Sequence, residues 1–264
     1  MHREITRGPR PKDVYFFATC LVDLFCPEAG MDAIELLERE GIAVHFPENQ
    51  TCCGQPAYTS GYADEARAVA KVQMELFPED WPIVVPSGSC AGMMRHHYPK
   101  LFSDDAPLKA RADALAERVF ELSEFLLEVL AVRWKASSAT QGRPTTVALH
   151  TSCSARREMG THVHARALLD SLPGVTVVTQ SHESECCGFG GTFSLKHPAI
   201  SGAMAGDKAD ALKESGAETF LSADCGCLLN INHTLQKRKD AFQGKHLATF
   251  LRERTEPAGT GDEA

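Results

Sequence analysis

The chain carries the tripeptide Cys-Cys-Gly twice, at Cys52-Cys53-Gly54 and Cys186-Cys187-Gly188, and each copy is flanked by a further cysteine on either side. The first half reads Cys20, Cys52-Cys53, Cys90, and the second reads Cys153, Cys186-Cys187, Cys227. The lone cysteine precedes the pair by 32 positions in the first half and 33 in the second, and the pair precedes the last cysteine by 37 and 40. Such a repeat, kept in register, marks an internal duplication in which each half builds the same unit.

The surroundings repeat as well. Val14-Tyr-Phe-Phe-Ala-Thr-Cys20 and Val147-Ala-Leu-His-Thr-Ser-Cys153 read as buried strands ending on a cysteine. Amphipathic stretches at 29–40 and 162–172 then stop at Gly41 and Pro173-Gly174, as helices do. Second strands at 42–46 and 175–179 lead to the Cys-Cys-Gly tripeptides, and helices at about 62–77 and 196–214 follow. Third strands at 83–85 and 219–221 run into Cys90 and Cys227. Strands alternating with helices predict an α/β fold with right-handed crossovers, as two duplicated parallel-sheet cysteine-rich domains with helices packed on the sheets. Residues 107–134 are expected to add one long helix, with Leu115, Val119, Leu122, Leu126 and Val129 as a core stripe. The first domain is placed at 13–134 and the second at 145–252, with 1–12, 135–144 and 253–264 as tail and linker segments, the last nine residues disordered. Ligands of open parallel sheets sit beyond the carboxyl ends of the strands, where all eight repeat cysteines fall.

Ten cysteines among 264 residues is the compositional anomaly. The basic start, Met1 to Lys12, lacks the apolar stretch of a secretory signal, and no apolar run is long enough to span a bilayer. A cytoplasmic protein that is not an integral membrane protein is expected, and there thiols hold metal or do redox chemistry more often than they staple a fold. A net charge of −8 argues against nucleic acid as a partner, because phosphate neutralisation requires clustered cations. The Lys237-Arg238-Lys239 cluster reads as a solvated helix end.

Thiolates gathered from distant loops form the soft ligand set that iron–sulfur clusters and zinc share. Two adjacent cysteines point in different directions along an extended backbone, which suits two metal atoms of one cluster better than one tetrahedral zinc. Buried structural cysteines or a vicinal disulfide would not explain the duplicated spacing. Cys20, Cys52, Cys53, Cys90, Cys153, Cys186, Cys187 and Cys227 are therefore the candidate metal and cofactor ligands.

The stretches Thr19-Cys20-Leu-Val-Asp-Leu-Phe25, Phe46-Pro-Glu-Asn-Gln-Thr-Cys52-Cys-Gly-Gln-Pro-Ala57, Pro86-Ser-Gly-Ser-Cys90 and Cys186-Cys-Gly-Phe-Gly-Gly-Thr-Phe193 carry a family resemblance. The chain resembles the CCG cysteine-rich-domain proteins: the cysteine-rich component of heterodisulfide reductase, the iron–sulfur component of glycolate oxidase and, most of all, the lactate utilization protein A family. That resemblance spans residues 14–251. It implies an iron–sulfur subunit, not active alone, working with companion proteins, including a ferredoxin-like iron–sulfur protein, in oxidising L-lactate to pyruvate. Many CCG domains end in Cys-x-x-Cys, whereas here the last position is Met93 in one copy and Asn230 in the other. Four thiols per repeat favour a simple 4Fe-4S cluster in each half over a five-thiolate cluster. Cys225 and Cys26 are further cysteines to be placed.

Several residues outside the repeat are secondary candidates. His150, three positions before Cys153, is suited to hydrogen-bond a cluster sulfur or shuttle a proton. Arg156 and Arg157 offer charge neutralisation or a carboxylate contact, and His96-His97 a metal site, against placement at the surface or a helix end. Gly188-Phe-Gly-Gly191 lacks the downstream Lys of a phosphate loop and reads as close packing. No catalytic residue is assigned. Three function classes remain: an electron-transfer subunit of the lactate or another 2-hydroxy-acid (glycolate) system, a direct catalyst resembling heterodisulfide reductase, and a zinc-stabilised interaction module.

Overall fold

The computed structural model describes residues 9–136 and 143–256. Most of the expected linker, the first eight residues and the expected disordered tail after Glu256 lie outside the described residues.

Strands β1 (Asp13–Phe16), β2 (Ala43–His45), β3 (Ile83–Val85) and β4 (Val119–Glu121) form one sheet in the order β2-β1-β3-β4. After the short β5 (Lys135–Ala136), strands β6 (Thr145–Leu149), β7 (Val175–Val178), β8 (Thr219–Ser222) and β9 (Gly244–His246) repeat that order as β7-β6-β8-β9. All pairings within both sheets are parallel, with Val14 beside Val44, Phe16 beside Val84, and Ala148 beside Phe220. The chain leaves β1 toward one edge and returns at β3 on its other side, so a crevice opens past the carboxyl ends of these two strands. The second half does the same between β6 and β8.

Both sheets are apolar on both faces, as parallel sheets require. Along β1 the alternation sends Val14 and Phe16 to one side and Tyr15 and Phe17 to the other. The first side belongs to a single central core that also takes Val147, Leu149, Val177 and Leu221 from the second sheet. Between the sheets lie the Pro27–Glu38 and Thr161–Asp170 helices, whose Leu36, Leu37, Leu168 and Leu169 are buried there. The Leu247–Arg254 helix packs on Pro27–Glu38, and the Leu122–Glu124 turn packs on Thr161–Asp170, so each half's first crossover helix rests on the other half. Truncating one of these leucines to Ala is expected to cost about 2–5 kcal/mol. The outer faces are closed separately, around Phe77, Met93, Tyr98 and Phe102 in one half and Leu212, Phe220, Ile231 and Leu235 in the other.

The expected helix over 107–134 is not continuous. The Ala106–Arg118 helix ends, β4 runs beside β3, and a capping box at Glu121 and Glu124 starts a new helical segment through Val129. The stripe is core as expected, with Leu115, Val119, Leu122 and Leu126 at most 2 % exposed. Its spacing satisfies a helix, but the open edge of β3 offers hydrogen bonds that a helix could not use. The ends of the assigned linker and tail are likewise ordered: β5 pairs antiparallel with β10 (Thr255–Glu256), directly after the last helix. Arg10, in the expected frayed start, is held by the carbonyls of Leu130 and Glu40.

Candidate metal centres

Each cysteine stands where a strand delivers it. Cys20 opens the short helix after β1, Cys52-Cys53 lie in the loop after β2, and Cys90 sits in the Gly88–Gly92 turn after β3. Cys153, Cys186-Cys187 and Cys227 follow β6, β7 and β8 in the same way. Thr19, which caps the Cys20 helix, has φ +71, a conformation that a β-branched residue adopts only under constraint. The strain falls on the residue that aims Cys20.

The sulfurs of each half influence one another in a chain: Cys20 and Cys53 act on Cys52, and Cys90 on Cys53; Cys153 and Cys187 act on Cys186, and Cys227 on Cys187. The consequence is the same twice. Hydrogen bonds from its neighbours lower the Cys52 thiol to about 3 and the Cys186 thiol to about 2, while their partners Cys20, Cys53, Cys153 and Cys187 are raised. One cysteine per half is therefore held as thiolate, the form that binds metal. Cys227 is raised because burial and the Asp224 charge outweigh the hydrogen bond from Cys187.

The backbone around the pairs is built to one plan. Gly54 and Gly188 adopt φ +85 and +84, and their N–H groups donate to Cys52 Sγ at 3.4 Å and Cys186 Sγ at 3.3 Å. A side chain at Gly188 would also stand 2.6 Å from the Ser201 carbonyl. Gln50 Nε2 donates to the Phe16 carbonyl at 2.8 Å, and Gln180 Nε2 to the matching Leu149 carbonyl at 3.3 Å, tying each cysteine loop to its central strand.

The two sites meet across the halves. The Cys90 turn packs on the segment after Cys153, where Gly88 leaves room for Ala155, and the Cys20 helix packs on the Cys225–Lys237 helix. Asp224 Oδ1 accepts from Ser87 Oγ at 2.7 Å and from Ser89 Oγ and N at 2.6 and 3.1 Å. Cys26 and Cys225 are joined as a disulfide between the halves, with Cα atoms 6.8 Å apart. Neither is then a free thiol for metal.

The surroundings of the second site are more polar. His150 is completely buried, and among the described residues neither ring nitrogen has a hydrogen-bond partner. A nitrogen of His150 and the sulfurs of Cys187 and Cys227 all lie within 4.8 Å of one another. Burial and the nearby Lys208 charge lower the imidazole to about 3, so the ring is neutral. Lys208, 1 % exposed, donates to Gln180 Oε1 at 3.3 Å and to the His182 carbonyl. Burial lowers the Lys208 ammonium against the opposing pull of Glu185 and the thiols. A cavity of about 440 Å³ opens beside Cys186, lined by Arg157, Ser184, Glu185, Met204, Asp207 and Lys208. Lys208 was not singled out from the sequence, because a lysine in the middle of an Ala-rich helix reads as a solvated face.

The other candidates resolve plainly. His97 Nε2 meets Glu158 Oε1 at 2.9 Å and His96 Nε2 meets the Glu158 carbonyl at 3.0 Å, so both histidines serve the contact between halves. Arg156 pairs with Glu183 at 3.2 Å, while Arg157 faces the cavity. The donor set fits a soft metal group: four cysteines per half at neighbouring strand tips, one per half with its thiol strongly lowered, and a backbone amide on that sulfur. Among the described residues no helix is long and apolar enough to cross a membrane.

The cysteine-rich domain model of the CCG family matches residues 14–95 and again 147–232. The chain is 41 % identical over 239 residues to lactate utilization protein A of Shouchella clausii, covering 90 % of this chain and 98 % of that one. It is 42 % identical over 241 residues to lactate utilization protein A of a Geobacillus species, covering 91 % and 99 %, and 42 % identical over 247 residues to lactate utilization protein A 1 of Bacillus mycoides, covering 93 % and 99 %. A crystal structure of a hypothetical protein from Helicobacter pylori superposes with a TM-score of 0.61 at 11 % identity. It shares the fold over 99 % of this chain, which spans about half of that structure's length, 53 %.

Proposed function

The chain belongs to the CCG cysteine-rich domain family, together with lactate utilization protein A, and we propose that it is the iron–sulfur electron-transfer subunit of a multi-protein system that oxidises L-lactate to pyruvate. The carrying observation is the pair of matched four-cysteine sets, one at the strand tips of each half, each with one strongly lowered thiol. Cys20, Cys52, Cys53 and Cys90 would hold one iron–sulfur cluster, and Cys153, Cys186, Cys187 and Cys227 the other, with 4Fe-4S the form four thiolates suit best. Each repeat, 13–134 and 145–252, carries one site. When bound, such clusters supply one-electron carriage at a potential set by ligand charge, hydrogen bonding and exposure.

The chain's own residues support carriage rather than hydride chemistry. No flavin or nicotinamide fingerprint stands in the sequence, so substrate oxidation belongs to companion proteins, one of them ferredoxin-like, in the cytoplasm. The packing of the Cys90 turn on the Cys153 segment, and of the Cys20 helix on the Cys227 helix, brings the two sites to one interface.

Anaerobic purification tests the reading. A brown chain with visible absorption, and iron and sulfide in near-equal amounts, is expected, with lactate oxidation appearing only when companion proteins are added. Zinc without sulfide would overturn it, and lactate turnover by the isolated chain would reassign it as a direct catalyst.

A further inference from the structure

The halves differ where the duplication predicts identity. Aligning Cys20 with Cys153 sets Phe17 against His150, three residues upstream and just past the end of each central strand. Phe17 is fully buried in the outer core of the first half, with its ring 6.2 Å from that of Phe77. His150 is equally buried, so an imidazole with two polar nitrogens replaces hydrocarbon at the matched place. Its backbone is fixed by an N–H bond of 2.8 Å to the Leu221 carbonyl, which continues the pairing of β6 with β8. Its ring nitrogens have no partner among the described residues, although a buried polar group left unpaired costs on the order of 1–3 kcal/mol. The ring reaches two sulfurs of the second site within 4.8 Å. A buried imidazole nitrogen beside two thiols is a donor set suited to a soft metal, and imidazole nitrogen is a favourable donor to iron.

We propose that His150 is a direct nitrogen ligand of the second metal group, beside Cys153, Cys186, Cys187 and Cys227, so that the first site is a four-thiolate site and the second is a mixed imidazole–thiolate site with five donors, one more than a cubane of four irons takes, and therefore of a different form. This rests on the reading that each half holds an iron–sulfur cluster. Replacing Phe by a neutral nitrogen ligand leaves the charge of the site unchanged while altering its electronic structure, so the two clusters are spectroscopically and electrochemically distinct despite matching cysteines. It also explains why a polar residue is tolerated at the position that the first half fills with an aromatic ring.

The full chain, grown with 15N-histidine and purified anaerobically, decides the matter by pulsed electron paramagnetic resonance of the reduced protein, with Cys53→Ser used to leave the second site alone. The expected result is a nitrogen coupling of the size of a directly bound imidazole, rescaled by the isotope and abolished by His150→Phe. A coupling of only hydrogen-bond strength, or none, overturns the assignment while iron and sulfide still show a cluster. Absence of iron and sulfide from the unsubstituted chain overturns the underlying reading instead. The isotope measurement needs no substitution at His150, so it holds even where His150→Phe does not fold.

Discussion

Asn230 Nδ2 donates a 2.8 Å hydrogen bond to the carbonyl of Cys187, and the Tyr98 hydroxyl donates one of 3.0 Å to the matching carbonyl of Cys53. The two donors come from different sequence positions, eight residues beyond Cys90 and three beyond Cys227, yet they brace the same atom in each repeat. Asn230, where wider members of the family carry a further cysteine, steadies the cysteine pair from behind. Asn230→Ala is expected to cost about 1–3 kcal/mol, the penalty of an orphaned buried carbonyl, and to broaden the signal of the second site alone. Tyr98→Phe is expected to do the same to the first. Chemical denaturation and resonance spectra of the two variants check both parts, and equal disturbance of both sites by either one would refute the separate bracing.

Independence of the sites is testable more directly. Cys53→Ser is expected to remove about half of the iron and sulfide and leave the rest bound, and Cys187→Ser to remove the other half, because the cysteines that act on each of these thiols belong to its own repeat. Metal and sulfide analysis reads this. Loss of everything from either variant would mean one shared site.

The contact between the halves hangs on Asp224. Its buried carboxylate accepts from Ser87 and from the hydroxyl and amide of Ser89, beside Cys90, while it stands three residues before Cys227. Asp224→Ala is expected to destabilise the chain by roughly 2–4 kcal/mol, since hydrogen bonds to a buried charge are among the stronger ones. It is also expected to perturb both sites at once, unlike the substitutions above. An unchanged unfolding midpoint in denaturant would show that the clamp carries no weight.

Much of the fold is legible in the residues themselves. The cysteine register, the parallel sheets and the third strand at Ile83–Val85 all follow from patterns that local chemistry enforces, namely β-branched runs and turn residues at repeat spacing. The fourth strands do not. Val119–Glu121 sits inside a stripe with helical spacing, and Gly244–His246 has no strand signature at all; each is a strand because β3 or β8 presents an open edge. The disulfide partners Cys26 and Cys225 are 199 residues apart, and only the packing of the halves brings them together. His150 is visible as a candidate from its spacing, but its burial without partners is not, because that depends on what β8 and the cysteine loop leave around it.

Glu121 gives the fold a pH dependence whose sign can be worked out. Burial pushes its carboxyl up to about 7, against stabilising bonds from Ser123 and Glu124. The native chain thus binds a proton that the unfolded chain releases near the ordinary value of 4.5, so this contribution is fully present below that value and is lost as pH rises through about 7. Glu121→Gln is expected to flatten that decline and to raise stability above pH 8 by roughly 1–3 kcal/mol. Urea titrations at several pH values measure it, and a variant whose stability falls with pH as steeply as the parent would count against the assignment.

Lys208 sets the second site apart electrically. Its ammonium is buried and lines the cavity with Cys186, and Glu185 and the sulfurs of the second site raise its proton affinity against the cost of burial. The leading influences on the Cys20, Cys52 and Cys53 thiols of the first site are burial and its own cysteines. A fixed positive charge favours the reduced, more negative state of whatever the thiolates hold, so the second site should accept an electron before the first. Lys208→Met keeps the length and apolar stem while removing the charge, and is expected to lower the second-site potential by on the order of 50–100 mV with the first unchanged. Redox titration followed by resonance spectroscopy separates the two sites. Because the same ammonium lines the cavity with Arg157, the shift should shrink if an anion already occupies that cavity and screens it.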